Sequence, residues 1–116
     1  MTPREALNEL ADAAYTNACQ KGFHDGDNCK VPVELYAKWT ANIHGETSEL
    51  WEAARKGQLL QPCDKECPLT CEEEELADII IRVFDTSKAR GIDIGRAVEL
   101  KMAYNAQREF MHGKLA

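Results

Sequence analysis

Proline and glycine are scarce in this chain of 116 residues, with four and seven respectively. That scarcity excludes collagen-like or low-complexity architectures, and no repeat recurs along the sequence. No segment alternates apolar and polar residues as a half-buried strand requires. Long hydrophobic runs are missing too: Ile79-Ile80-Ile81 is the strongest apolar stretch, far short of the roughly 20 residues that span a bilayer. The N-terminus carries Arg4, Glu5, Glu9 and Asp12 where a secretion signal needs an unbroken apolar segment, so a cytoplasmic protein with no membrane partner is expected. An excess of positive charge is also lacking. The formal net charge of -6 argues against nucleic acid as the main partner, because a phosphate backbone is held by clustered cations. It leaves room for a phosphate-bearing substrate if metal ions stand between two sets of negative charges.

What is present is 44% hydrophobic and 29% charged residues, enough for one soluble domain over residues 1–116. A chain this short gains useful buried surface by associating with itself. The pattern is helical throughout. Thr2-Pro3 opens a first helix that runs to about Gly22, and a loop rich in Gly26, Asp27 and Asn28 follows. A second helix runs from near Pro32 to Lys56-Gly57, with cations and then glycine at its end. A long connection from Gln58 to Cys71 holds Pro62, Pro68 and three of the five cysteines. Thr70 or Cys71 then precedes the acidic turn Glu72–Glu75, which suits the positive end of a helix dipole. That third helix ends near Arg90-Gly91, and Asp93 caps a fourth that continues to about Arg108. The spacing therefore predicts an all-α four-helix bundle with the second and third helices at its centre.

Carboxylates occur where packing alone would put apolar residues. Trp39, Ile43, Glu46, Leu50 and Ala53 form one stripe of the second helix, and Glu49 lies on the same side, rotated by roughly 60°. On the third helix, Leu76, Ile79, Ile80, Val83 and Phe84 form a wide apolar arc, with Glu75 and Asp78 at its margin. A buried carboxylate is costly unless paired or bound to metal, and two together repel. Two such pairs on antiparallel helices make an all-oxygen site suited to Mg²⁺ or Mn²⁺. Glu72, Glu73 and Glu74 read instead as solvated, dipole-favourable charge, and Glu52 as a candidate water-orienting base. Ile94 and Val98 start a stripe on the fourth helix that continues through Lys101, Asn105 and Arg108, a line of donors suited to anions. Trp39, Trp51 or Tyr104 are candidates for stacking on a base.

These residues resemble MazG-like nucleotide pyrophosphohydrolases of the all-α NTP pyrophosphatase superfamily. The resemblance rests on Gly45-Glu46-Thr47-Ser48-Glu49-Leu50, Glu74-Glu75-Leu76-Ala77-Asp78-Ile79-Ile80-Ile81, Arg90-Gly91-Ile92-Asp93-Ile94, Lys101-Met102-Ala103-Tyr104-Asn105 and His112-Gly113-Lys114, covering about residues 35 to 114. It implies a four-helix assembly completed as a homodimer or homotetramer. The implied activity is Mg²⁺-dependent hydrolysis of a (deoxy)nucleoside triphosphate to the monophosphate and pyrophosphate, as in house-cleaning of nucleotide pools. It also implies Glu46, Glu49, Glu75 and Asp78 as metal ligands and Lys101 and Asn105 as substrate contacts. His112 and Lys114 are candidates to fold over the site.

Two other readings compete. A di-iron bundle needs paired E-x-x-H spacings, and Glu109–His112 is the only one here. Cys63, Cys67 and Cys71 leave free thiols, a disulfide or a metal- or redox-sensing module open, the last with Cys29 or a histidine as fourth ligand. A non-catalytic nucleotide-binding module is a separate alternative.

Overall fold

A computed structural model describes residues 1–110, and Met111–Ala116, with the candidate residues His112 and Lys114, lie outside them. Helix α1 spans Pro3–Gln20, α2 Pro32–Arg55, α3 Cys71–Ala89 and α4 Ile94–Ala106, with a single 3₁₀ turn at Asp27–Cys29 between α1 and α2. No strand forms among the described residues, and none of their helices is long and apolar enough to cross a membrane. The all-α expectation holds.

Local chemistry sets each boundary. Thr2 caps α1 and Thr70 caps α3, each in a reciprocal box with the glutamate three residues on, Glu5 and Glu73; such caps satisfy backbone N–H groups that a helix start leaves unpaired. Pro32 occupies the first turn of α2, where its missing N–H costs nothing. Helices α2 and α3 end alike. Gly57 and Gly91 adopt φ of 69° and 68°, and the next residues, Gln58 and Ile92, donate back to Ala53 and Ser87 at 2.8 and 2.9 Å. This left-handed turn closes the last carbonyls and favours glycine.

Helix α3 is the hub. It packs against α2 on one side and α1 on the other, while α4 lies chiefly on α1 and only lightly touches α3. The expected centre of α2 and α3 is therefore a centre of three helices, and α1 is part of it. Gly95 explains how closely α4 approaches α1: a Cβ there would stand 2.3 Å from the Arg4 carbonyl oxygen. The same corner is fixed by Asp93, which accepts from Arg4 at 2.7 Å, Asn8 at 2.9 Å and the Arg96 amide at 2.9 Å. The amide of Arg96, then Asn8 and Arg4, hold the Asp93 carboxyl down at about 2.

The inside of α3 is not the side that hydrophobic patterning selects. Glu74, Asp85 and Ser87 are its buried residues, whereas Leu76, Ile80 and Val83 are 46%, 51% and 37% exposed. Among the described residues no side chain is completely enclosed, and the buried apolar residues are Ala11, Ala18, Trp39 and Cys63. The accessible surface is 8515 Å², against roughly 6,300 Å² expected for a folded monomer of this mass. The radius of gyration is 16.4 Å, where a globular chain of this length has about 13 Å. A single chain leaves much apolar surface uncovered.

Candidate metal centre

Helices α2 and α3 bring three of the four expected carboxylates together. One oxygen from each of Glu46, Glu75 and Asp78 lies within 4.8 Å of the others, and among the described residues no other group of three or more acidic, histidine or cysteine side chains is placed to hold a metal ion. Glu49 is exposed at the margin, close enough to Glu75 to raise its carboxyl. All are half-buried except Glu49, which follows from the E-x-x-E and E-x-x-D spacings on facing helices.

The cluster is short of positive charge. Burial, then the proximity of Glu49, pushes the Glu75 carboxyl up to about 7. Burial also raises Glu46, followed by the charges of Asp78 and Glu49, with Arg82 opposing. For Asp78 burial again leads, then Glu74, against Lys65 and Arg82. One Glu75 oxygen, Oε2, is buried without a hydrogen-bond partner. A buried carboxylate oxygen with no donor is the situation that a hard cation relieves. The donor set therefore fits Mg²⁺ or Mn²⁺.

Two cavities flank these carboxylates. Glu46 and Asp78 line one of about 240 Å³, together with Phe23, Arg82 and Asp85. Glu49, Glu52, Glu74 and Glu75 line a wider groove of about 370 Å³ next to Gln61. Glu52 is tied to the end of its own helix by Arg55 at 2.6 Å and Lys56 at 3.2 Å.

Other expected residues lie elsewhere. Trp39 is buried, edge-on to Tyr36 at 5.3 Å and to His24 at 6.2 Å, and lines a separate cavity. Trp51 is 65% exposed. Lys101 on α4 and Arg108, two residues past its end, are exposed, their cationic groups 4.7 and 5.6 Å from the Tyr104 ring. Asn105 is half-buried, with a buried Oδ1 that lacks a partner. No α4 residue lines either carboxylate cavity, so within one chain the anion-binding line and the carboxylates are not brought together.

Two residues acquire roles that the apolar pattern did not suggest. Glu74, expected in solvent, is 7% exposed and pairs with Lys65 of the cysteine-bearing connection. Arg82 donates from Nε to Glu46 at 3.3 Å and lies over the Phe23 ring at 5.2 Å. The signal was polar rather than apolar periodicity. Glu74, Asp78, Arg82 and Asp85 follow one another at steps of four, four and three, which places them on one face of α3.

Below Arg82 that face continues into a second polar group. His24 bonds Asp27 through Nδ1 at 2.7 Å and Asp85 through Nε2 at 2.6 Å, and Lys38 donates to Asp27 at 2.8 Å. Burial lowers the imidazole's affinity for a proton, but the hydrogen bonds to Asp85 and Asp27 outweigh it and the net shift is upward. Burial likewise opposes ionisation of Asp27, and Lys38 and His24 overcome it to a net lowering. The stability that His24 confers is thus complete below its ordinary value of 6.5 and lost as pH rises through the higher folded value. That of Asp27 is complete above 3.8 and lost as pH falls through its lower folded value. Between these limits His24→Gln is expected to cost about 2 kcal/mol in urea unfolding, because charge-assisted bonds are lost. The penalty should shrink at about pH 9; a pH-independent penalty would contradict a charged imidazole.

Comparison with family models, curated proteins and solved structures finds no match for the chain.

Proposed function

We propose that this protein is a Mg²⁺-dependent, MazG-like pyrophosphohydrolase that cleaves a nucleoside triphosphate to the monophosphate and pyrophosphate. The observation that carries this reading is the convergence of Glu46, Glu75 and Asp78 from two helices, with three oxygens within 4.8 Å. The motif resemblance over residues 35 to 114 supports it, as does the shortage of positive charge at the cluster.

Glu46, Glu75 and Asp78, with Glu49 beside Glu75, would hold Mg²⁺, or Mn²⁺ in its place. Bound there, the cation supplies positive charge to triphosphate oxygens and acidifies a water. The chain's own groups do the rest. Glu49, exposed next to Glu75, is the better-placed acceptor for the attacking water's proton; Glu52 is engaged by Arg55 and Lys56. The water oxygen bonds to the α-phosphorus in line as the bond to the bridging oxygen breaks, and pyrophosphate departs. Arg82, on the cavity wall, offers a guanidinium for phosphate oxygens.

A second copy belongs to the proposal. The stripe Leu76, Ile80 and Val83 on α3 is apolar and open, and the excess accessible surface calls for a homodimer or homotetramer to cover it. The location that goes with this activity is the cytoplasm.

The deciding experiment is a panel of ribo- and deoxyribonucleoside triphosphates with Mg²⁺, with pyrophosphate and orthophosphate measured separately. Equimolar monophosphate and pyrophosphate are expected. Orthophosphate alone, or no turnover with any member of the panel, would sink the reading.

A further inference from the structure

The connection between α2 and α3 is more ordered than its length suggests. Pro62 and Thr70 form an antiparallel bridge. Around it the Cys71 amide donates to Gln61 at 2.8 Å, Cys63 to Leu69 at 2.9 Å and Glu72 to Leu59 at 3.0 Å. These bonds fold residues 63–69 into a closed loop whose ends are held by backbone. Inside it, Cys67 Sγ lies 2.8 Å from Cys63 Sγ. Cys63 is buried, and its thiol also points at the carbonyls of Lys65 and Cys67, at 3.4 and 3.6 Å. Cys67 is partly open to solvent. Cys71 turns away, towards the Pro62 carbonyl at 3.6 Å. Three thiols do not converge, so the expected alternative of a three-cysteine metal site is not formed; two thiols do.

We infer that Cys63 and Cys67 are a dithiol site that low-molecular-weight disulfides oxidise to an intraloop disulfide. The sulfurs need to close by less than about 1 Å to reach the ~2.05 Å of a disulfide bond. Cys67, the accessible member, attacks as thiolate on one sulfur of the small disulfide, making a mixed disulfide and releasing one thiolate. Cys63 then loses its proton to solvent and attacks Cys67 Sγ, so the protein disulfide forms and the second small thiol leaves. Two protein thiols are oxidised and one small disulfide is reduced to two thiols. Hydrogen bonding to Cys63, then burial, raises the Cys67 thiol, so the first step accelerates as pH rises above neutrality.

The ring so closed contains Lys65, whose ammonium pairs with buried Glu74 beside the carboxylate cluster. Oxidation would therefore fix covalently the loop that brings the Lys65 ammonium to Glu74 on α3. This chemistry does not depend on the hydrolase reading.

The test uses full-length protein in which the exposed Cys19 and Cys29 are changed to serine, treated with excess oxidised glutathione. The expected result is loss of two thiols of the remaining three with no retained glutathione, and a peptide map that joins Cys63 to Cys67. Cys71→Ser should behave the same, whereas Cys63→Ser should stop at a glutathione adduct on Cys67. A stable adduct on Cys67 in the parent protein, a bond to Cys71, or three unreacted thiols would each overturn the inference. The map on the parent protein decides even if Cys63→Ser does not fold.

Discussion

Glu75→Gln is expected to lower Mg²⁺-dependent pyrophosphate release by at least about a hundredfold, since removing one preorganised charge from a phosphoryl-transfer site costs that much. The same change should make the metal-free protein more stable at alkaline pH. The Glu75 carboxyl is raised from 4.5 to about 7, by burial first and then by Glu49. A group shifted in this direction contributes stability below its unfolded value and loses it as pH rises through the folded one. Above about pH 7 the wild-type therefore carries an ionised group in an unfavourable place, and glutamine does not. Solvent reaches the cluster, so the gain is on the order of 1 kcal/mol rather than the full shift. Urea unfolding at about pH 8, with and without Mg²⁺, separates the two effects. Wild-type should be stabilised by the cation and Glu75→Gln much less. Equal stabilisation of both, or unchanged turnover in the variant, would remove Glu75 from the site.

The second large effect is expected at Gly95. An alanine methyl there would meet Arg4 backbone atoms at 2.3, 2.9 and 3.0 Å. Backbone cannot rotate aside as a side chain does, so α4 must lift from α1. Doing so weakens the bond from the Gly95 amide to Asn8 at 2.9 Å and the Arg4–Asp93 pair. Alanine gains up to about 1 kcal/mol over glycine as a helix former, but overpacking against fixed atoms costs about 3 kcal/mol or more. Thermal unfolding of Gly95→Ala should show a net loss of about 2 kcal/mol or more. A variant as stable as wild-type would mean that the two helices do not cross this closely.

The helices were legible because their ends are written in short-range chemistry. Thr2-Pro3, Pro32 and Thr70 act on the three or four residues that follow, Gly57 and Gly91 on those that precede, and neither needs tertiary knowledge. The convergence of Glu46, Glu75 and Asp78 was legible as well, because helical spacing fixes which side chains share a face. Neighbours were less so. Periodicity gave Lys101, Asn105 and Arg108 one side of α4, yet α4 settles on α1 and its cations stay open to solvent. Glu74 read as a solvated first-turn acid because its partner, Lys65, arrives from a loop whose path depends on the Pro62–Thr70 bridge. His24 and Asp85 are 61 residues apart, and nothing local links them. On α3 the apolar arc is wide enough to leave its inward side undecided, and Glu74, Asp85 and Ser87 are buried while Leu76, Ile80 and Val83 face outwards.

That inversion on α3 bears on how the fold responds to dilution. A helix whose inward face is partly spent on acids and a guanidinium leaves apolar residues of its own open to a second partner. In the proposed assembly another molecule would cover the open stripe of Leu76, Ile80 and Val83, and its binding would add to the stability of each chain. Dilution would then weaken the proposed assembly by mass action, whereas Glu46, Glu75 and Asp78 already come together within one chain.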